Sequence, residues 1–544
     1  MPADITCDRP LTERRCSNSE LASSAYARGV WITETLADAL RKAAEQTPER
    51  LALIDAQHRI DCRTLREKAT TLAQALLARA PPGSVVSFML PNWHEAAVIY
   101  LGATLAGMVV NPILPSLRDR ELRFILDDVG TRLIFVPASF RQYDYAAMMS
   151  RVTGQLSSPP EVVILRGAAG AHTSYESLFQ SAGPHRDLPA LDPDAVRMVL
   201  YTSGTTGRPK GVLHSHNSIH ALICQLREHW LVEPGDRFLV PSPIGHIGGS
   251  IYAFECPMLL GTTAVLMERW NADDAVKLVE AEGCTHMAGA TPFLDQLLGA
   301  ARRAATRLPS LKLFVCGGAS VPPALIRAAA GYFQRAVVTR VYGSSEVPVT
   351  TVGATQRSDC SHAADTDGRA GLAEIKLVGH HAAPRGEGEI HVRGPQMLIG
   401  YLHPEDETEA FDSQGYFRTG DLGRWIDATF VVITGRAKDI IIRNGENISP
   451  KEVEDLLAGH PDIAEVAIIG LPDPRTGERA CAVIVPKRPP GPDVGSLRGF
   501  LEAQGVAPFK TPEQVVIWNA LPKNDAGKIL KTQIRAALSA APTA

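Results

Sequence analysis

The sequence predicts an α/β protein in two units: a large N-terminal domain over 1–435, made of α/β layers plus a small β-barrel-like part, and a small α+β C-terminal domain over 436–544. Three observations predict this. Short apolar runs alternate with helix-like stretches through most of the chain, the pattern of parallel α/β layers. From about residue 374 the texture changes to short strand-like runs separated by Gly and Pro. After Gly435 a fresh helix start and new strand-like runs follow, and 544 residues are too many for one core.

In chain order, Leu36, Ala39, Leu40, Ala43 and Ala44 recur at helical spacing. Val85–Leu90 reads as a strand, followed by a long Ala-rich helix over Glu95–Val109. Leu133–Val136, Val162–Leu165, Val196–Tyr201, Phe238–Val240, Leu311–Cys316 and Ala336–Val341 are further β-like runs. Glu374–Val378, Gly388–Arg393 and Phe430–Thr434 read as an antiparallel sheet or small barrel. Ser449-Pro450-Lys451-Glu452 supplies an N-cap serine, a proline at the first helical position and a glutamate at the third. Ala464–Ile469 and Ala482–Val485 read as strands, and Gly495–Gln504 and Lys531–Leu538 as helices. Residues 1–30 are polar and read as peripheral.

Composition narrows the function classes. Hydrophobic residues make up 45% and charged residues 21% of the chain, as in globular proteins generally, and the formal net charge is −4. Nothing favours nucleic acid or an anionic membrane as a partner. The nine cysteines include no Cys-x-x-Cys pair, so neither a zinc site nor a disulfide framework is implied. The first residues have no apolar signal core, and no run of 18 apolar residues exists. The expected location is the cytoplasm, with thiols reduced.

The densest chemistry lies in 201–212, Tyr-Thr-Ser-Gly-Thr-Thr-Gly-Arg-Pro-Lys-Gly-Val. Thr202, Ser203, Thr205 and Thr206 bring hydroxyls, Gly204, Gly207 and Gly211 let the backbone turn its N–H groups toward a ligand, and Lys210 adds a positive charge. Such a loop, at the C-terminal end of a strand, suits a polyphosphate. The P-loop template of nucleotide triphosphatases fails, because Pro209 stands five residues after Gly204 and Gly211 follows Lys210. An ordinary Gly/Thr-rich turn is the plainer reading, but it does not call for Gly-Arg-Pro-Lys-Gly.

The stretch resembles the signature loop of the adenylate-forming superfamily, which includes acyl- and aryl-CoA synthetases, peptide-synthetase adenylation domains and luciferases. Other family motifs recur in order over roughly 35–535. Tyr342-Gly343-Ser344-Ser345-Glu346 resembles Tyr-Gly-x-Thr-Glu. The resemblance implies that Tyr342 packs on adenine, the Ser345 hydroxyl approaches the α-phosphate, and Glu346, with Thr202, holds Mg²⁺. A hard cation of that kind wants carboxylate and phosphate oxygens together. Gly415–Gly423 matches the ribose motif, with Asp421 accepting both ribose hydroxyls. Gly435–Ile448 looks like the hinge motif, which implies that Arg436 reaches the nucleotide, that the small domain rotates about Lys438, and that Gly445 lines the pantetheine channel. Leu521–Ile529 resembles the catalytic-lysine motif, with Lys528 neutralising charge on the carboxylate and α-phosphate. His246, within Pro243–Gly249, falls at the gating position of the acyl pocket, and Gly317, Gly318 and Ala319 match the wall shared by adenine and acyl group.

The resemblance implies an ATP-dependent carboxylic acid:CoA ligase. Attack of a carboxylate on the α-phosphorus releases pyrophosphate, and a thiol then displaces AMP. The expected substrates are a carboxylic acid, ATP and coenzyme A, the expected catalytic residues are Thr202, Lys210, Glu346 and Lys528, and a homodimer is the assembly considered. Residues 85–140 look most like bacterial medium-chain and alicyclic acid CoA ligases. Alternatives are a stand-alone adenylation enzyme that loads a carrier protein, a luciferase-type oxygenase, and a nucleotide-binding regulator that has lost catalysis. Retention of Lys210 and Lys528 argues against the regulator.

Overall fold

The structure, a computed structural model, describes residues 11–539 apart from 17, 57, 181–185, 203–207, 319–320, 380–385, 444–445 and 525–526. Two large sheets organise the N-terminal part. One has eight strands in the order Gly400–Tyr401, Lys210–Ser215, Val196–Thr202, Val109–Pro112, Val85–Phe88, Thr131–Pro137, Glu161–Leu165, Thr173–Ser174. The other has seven, in the order Val337–Arg340, Leu313–Cys316, His286–Gly289, Arg237–Val240, Thr263–Leu266, Leu51–Asp55, His58–Asp61. In the first sheet the six strands from Val196–Thr202 to Thr173–Ser174 are parallel while Lys210–Ser215 runs antiparallel to both its neighbours. In the second all but the edge strand His58–Asp61 are parallel, and the central apolar runs are buried on both faces, as helix-covered sheets require.

Helix His94–Leu105 buries every side chain from Ala96 to Thr104, so it is apolar all round and packs within the main core. It is shorter than the Glu95–Val109 helix the sequence suggests. Gly107 turns the chain at φ +66, and a Cβ there would lie 2.9 Å from Pro189 Cγ. Val109–Pro112 then pairs in parallel with Val85–Phe88 as a strand. The apolar run therefore spans two elements, and only the left-handed glycine marks the break.

The barrel-like part is an antiparallel sheet in the order Glu374–Val378, Gly388–Arg393, Phe417–Ile426, Phe430–Arg436. Helix Ser19–Ala27 is docked rather than peripheral: Ala25 and Trp31 are buried with Ala221, and Trp31 Nε1 donates to Pro395 O at 3.0 Å.

The C-terminal part has a sheet and core of its own. Gly477–Pro486 lies between Ile463–Asp473 and Gln514–Ile517, with Ile441–Arg443 and Glu446–Ile448 extending the edge. Helix Pro450–Leu457 starts as expected, its Ser449 side chain capping Glu452 N, and its Val453 and Leu457 join the core. Among the described residues no helix is long and apolar enough to cross a membrane.

Candidate nucleotide and acyl site

Strand Val196–Thr202 runs into the phosphate-loop candidate, and the chain returns along Lys210–Ser215, antiparallel, with Thr202 opposite Lys210. The loop therefore closes a hairpin. Ser203, Gly204, Thr205, Thr206 and Gly207 lie outside the described residues. Lys210–Ser215 is a strand the sequence reading missed, because Gly-Arg-Pro-Lys-Gly reads as pure loop.

Tyr342–Glu346 sits beside this hairpin, because His214 Nε2 donates to Ser345 O at 2.8 Å. Burial holds the His214 pKa down at about 4, which keeps the ring neutral, and its Nδ1 lies 3.2 Å from Ser218 Oγ on the other side. Ser344 Oγ accepts from Val347 N and closes the turn. A Cβ on Gly343 would lie 2.6 Å from Val349 N, so only glycine fits there. Val349 itself holds φ 46, a strained value for a β-branched residue, directly beside the loop.

The strongest bonds of the site tie three predicted residues together across the chain. Tyr342 Oη donates to Asp421 Oδ2 at 2.7 Å, and Arg436 Nε donates to Asp421 Oδ1 at 2.8 Å. Asp421 and Arg436 are register partners on adjacent strands, so the sheet itself holds the pair. Burial, followed by the Asp421 charge, pushes the Tyr342 pKa well up, and Asp421 raises that of Arg436.

Lys528 reaches this cluster from the C-terminal part. Burial and then the Arg436 cation lower its pKa, while Asp421 and Asp439 act in the opposite sense. Its side chain stays open to water although protein lies around it. Its loop rests on the large domain: a Cβ on Gly527 would lie 3.3 Å from Pro292 Cγ. Lys438 occupies the short turn Ala437–Asp439, between the last strand of one sheet at Arg436 and the first of the next at Ile441.

At the acyl-pocket candidate, His246 caps helix Ile247–Ser250, its Nδ1 accepting from Gly248 N at 3.1 Å. Its pKa is lowered by desolvation, so the ring is neutral at pH 7. A Cβ on Gly245 would lie 2.7 Å from the Ile113 carbonyl, and one on Gly317 would lie 2.7 Å from Val341 O. Both glycines permit close backbone packing, and Gly318 takes φ +80 beside them. Ala319 and Gly445 lie outside the described residues. The helix after His246 passes through a π-helical turn at Ile251–Glu255, a feature that gathers at functional sites.

Glu346 has a carboxylate oxygen that accepts from Tyr401 Oη at 3.1 Å, and among the described residues no cation pairs with it. A half-buried carboxylate with spare lone pairs, beside the hairpin that carries the phosphate-loop candidate, fits Mg²⁺. Sequence reasoning missed Tyr401. Its ring also lies 5.2 Å from Lys210 Nζ and bridges the hairpin to Glu346. It missed Asp406 as well, which pairs with Arg208 and Lys210. Nothing local marks either residue, because both act on partners far away in sequence. A second ligand-like group, Asp55, His58 and His94, already holds a cation, since Arg166 Nη2 lies 3.0 Å from Asp55 Oδ2.

Fold and site define a two-domain nucleotide-binding enzyme. The family model described as "AMP-binding enzyme" matches residues 40–402, and that of its C-terminal domain matches 452–528. The chain belongs to this AMP-binding enzyme family. It is 35% identical over 536 residues to the medium-chain fatty-acid–CoA ligase of Escherichia coli (strain K12), covering 95% of this chain and 93% of that one. It is 31% identical over 546 residues to the salicyl-AMP ligase / salicyl-S-ArCP synthetase of Mycobacterium tuberculosis (strain ATCC 25618 / H37Rv), covering 95% and 93%. The ATP-bound MatB structure from Rhodopseudomonas palustris superposes with a TM-score of 0.81 at 26% identity, covering 93% of this chain and 99% of that one.

Proposed function

We infer that the protein is an AMP-forming carboxylic acid:CoA ligase, which adenylates a carboxylate with ATP and then passes the acyl group to coenzyme A. The observation that carries the nucleotide half is Asp421, accepting from Tyr342 and Arg436, with Lys528 close enough to feel the charges of Arg436 and Asp421.

A carboxylate is a poor acyl donor because its leaving group would be oxide; the mixed anhydride with AMP replaces that leaving group. Reaching it is a matter of positioning and charge neutralisation. In our reading Tyr342 stacks on adenine and Asp421 accepts the ribose hydroxyls. Residues 202–207 present donors to the polyphosphate, and Lys210 meets its charge. Glu346 and Thr202 hold Mg²⁺, which neutralises phosphate charge when bound. Arg436 and Lys528 offset the charge on the attacking carboxylate and α-phosphate. His246 stays neutral and borders the acyl chain, with Gly317, Gly318 and Ala319 forming the wall. Lys528 and the thiol channel at Gly445 belong to one small domain, so both cannot serve the same orientation. A rotation about Lys438, with the boundary near 435–436, resolves this.

We propose medium-chain monocarboxylates as the substrate class, on the strength of the relative so named. The eight described cysteines are all free, which favours a reducing, cytoplasmic setting. Similarity to a salicyl-AMP ligase that also acts on a carrier protein keeps that acceptor as a second reading. The test is a screen of carboxylic acids for acid-dependent release of AMP and pyrophosphate, then thioester formation with coenzyme A as the sole thiol. ADP and phosphate as products would overturn the adenylation reading. Acyl-AMP without thioester would favour the carrier protein.

A further inference from the structure

Strand Gly400–Tyr401 and the turn Pro404–Glu407 run along the exit arm of the phosphate hairpin. Leu402 N donates to Gly211 O, and Tyr401 N to Glu407 Oε1 at 2.8 Å, so the start of this strap is tied to the hairpin arm and its far end is tied back onto its start. From it the Asp406 carboxylate, only 11% exposed, meets both cations that leave the loop. Arg208 Nη2 donates to Asp406 Oδ2 at 2.8 Å, and Lys210 Nζ lies 3.4 Å from Asp406 Oδ1. The two contacts differ. The Arg208 contact is a short hydrogen bond; the Lys210 contact is looser, and its ammonium also lies 5.2 Å from the Tyr401 ring centroid. The more weakly held cation is the lysine that is to meet the polyphosphate.

We propose that Asp406 is a positioning residue, the resident counter-ion of Arg208 and Lys210, and that an incoming polyphosphate displaces it from Lys210 while Arg208 stays anchored. This rests on the reading that the hairpin binds ATP. Two like charges two residues apart repel, and one carboxylate between them orders the arm without a ligand. The same carboxylate competes with phosphate oxygens for Lys210. It therefore weakens binding of both ATP and pyrophosphate, and returns to Lys210 as pyrophosphate leaves. The phosphate corner is thus tuned for release as well as capture.

The test is calorimetric titration of the full-length protein with ATP and Mg²⁺ in the absence of acid, and separately with sodium pyrophosphate. Asp406→Asn keeps the shape and removes the charge, so it is expected to tighten both ligands about twofold to fivefold, the range of a partly exposed ion pair. Asp406→Glu is expected to restore weaker binding. In a Lys210→Gln background the Asp406→Asn effect is expected to vanish, an outcome that general loosening of the strap would not produce. If the wild type binds ATP but Asp406→Asn leaves affinity unchanged or weakens it, the counter-ion proposal is overturned and the ATP-site reading stands. If the wild type binds no ATP, both fall together.

Discussion

Replacing Asp421 by Asn tests the nucleotide corner with little change of shape. In the structure one carboxylate oxygen accepts from Tyr342 and the other from Arg436, at 2.7 and 2.8 Å. Asn keeps one acceptor and turns the other oxygen into a donor, which then faces the Tyr342 hydroxyl or the Arg436 guanidinium. A hydrogen bond to a charged group contributes about 1.5–3 kcal/mol when well buried. The Asp421 side chain is 14% exposed but that of Arg436 is 37% exposed, so the lower end applies, about 1.5 kcal/mol after solvent screening. In the proposed role a ribose hydroxyl makes a bond of the same kind to this carboxylate, and losing one such bond corresponds to roughly tenfold in affinity. The bond that Asn still accepts is no longer charge-assisted, so KM for ATP should rise about 10- to 100-fold while KM for the acid stays near its original value. The decisive assay compares ATP with 2′-deoxy-ATP. The wild type should discriminate against the deoxy nucleotide, and Asp421→Asn should lose most of that discrimination. A variant that discriminates as well as the wild type, or one whose acid KM moves instead, would refute the ribose assignment.

Glu346→Gln removes a charged metal ligand at constant size, so raising Mg²⁺ tenfold should recover much of the lost activity; no recovery would remove Glu346 from the metal site. In single-turnover kinetics Lys528→Ala should slow adenylation ~100- to 1000-fold yet convert supplied acyl-AMP and coenzyme A at near-normal rate. Lys438→Pro, which fixes φ in the connecting turn, should do the reverse, and equal slowing of both steps by Lys528→Ala would end the division of labour. In its proposed role Lys528 must be protonated for adenylation. Burial and then Arg436 lower its pKa, so the alkaline limb of kcat/KM for ATP, which reports the free enzyme, should begin below the ordinary lysine range. Lys528→Arg should move that limb beyond the measured range, and an unmoved limb would assign it to another group.

Local signals in the sequence carried well where one residue type determines one geometry. Ser449-Pro450 marked a helix start because capping is a matter of neighbouring residues. Tyr342, Asp421 and Arg436 lie bonded to one another, although Tyr342 and Asp421 are 79 residues apart, and each could be singled out because it sits in a recognisable motif. What was not legible depends on distant pairing. The strand Lys210–Ser215 exists because Val196–Thr202 and Gly400–Tyr401 flank it, not because its own residues call for a strand. Tyr401 and Asp406 follow no motif, and their importance comes from reaching Glu346, Lys210 and Arg208 across the fold. The end of the helix at Leu105 turned on a single left-handed glycine within an unbroken apolar run.

The central claim, that a carboxylate oxygen attacks the α-phosphorus in this cleft, is tested most directly by isotope transfer. A carboxylic acid that supports turnover is labelled with ¹⁸O in its carboxyl group, and the nucleotide product of one complete turnover with coenzyme A is examined by mass spectrometry. The bond that forms joins carboxylate oxygen to phosphorus, and thiolysis then breaks the acyl carbon–oxygen bond, so AMP should carry one ¹⁸O and pyrophosphate none. Label in inorganic phosphate alongside ADP would instead mean attack on the γ-phosphorus, and would contradict the account.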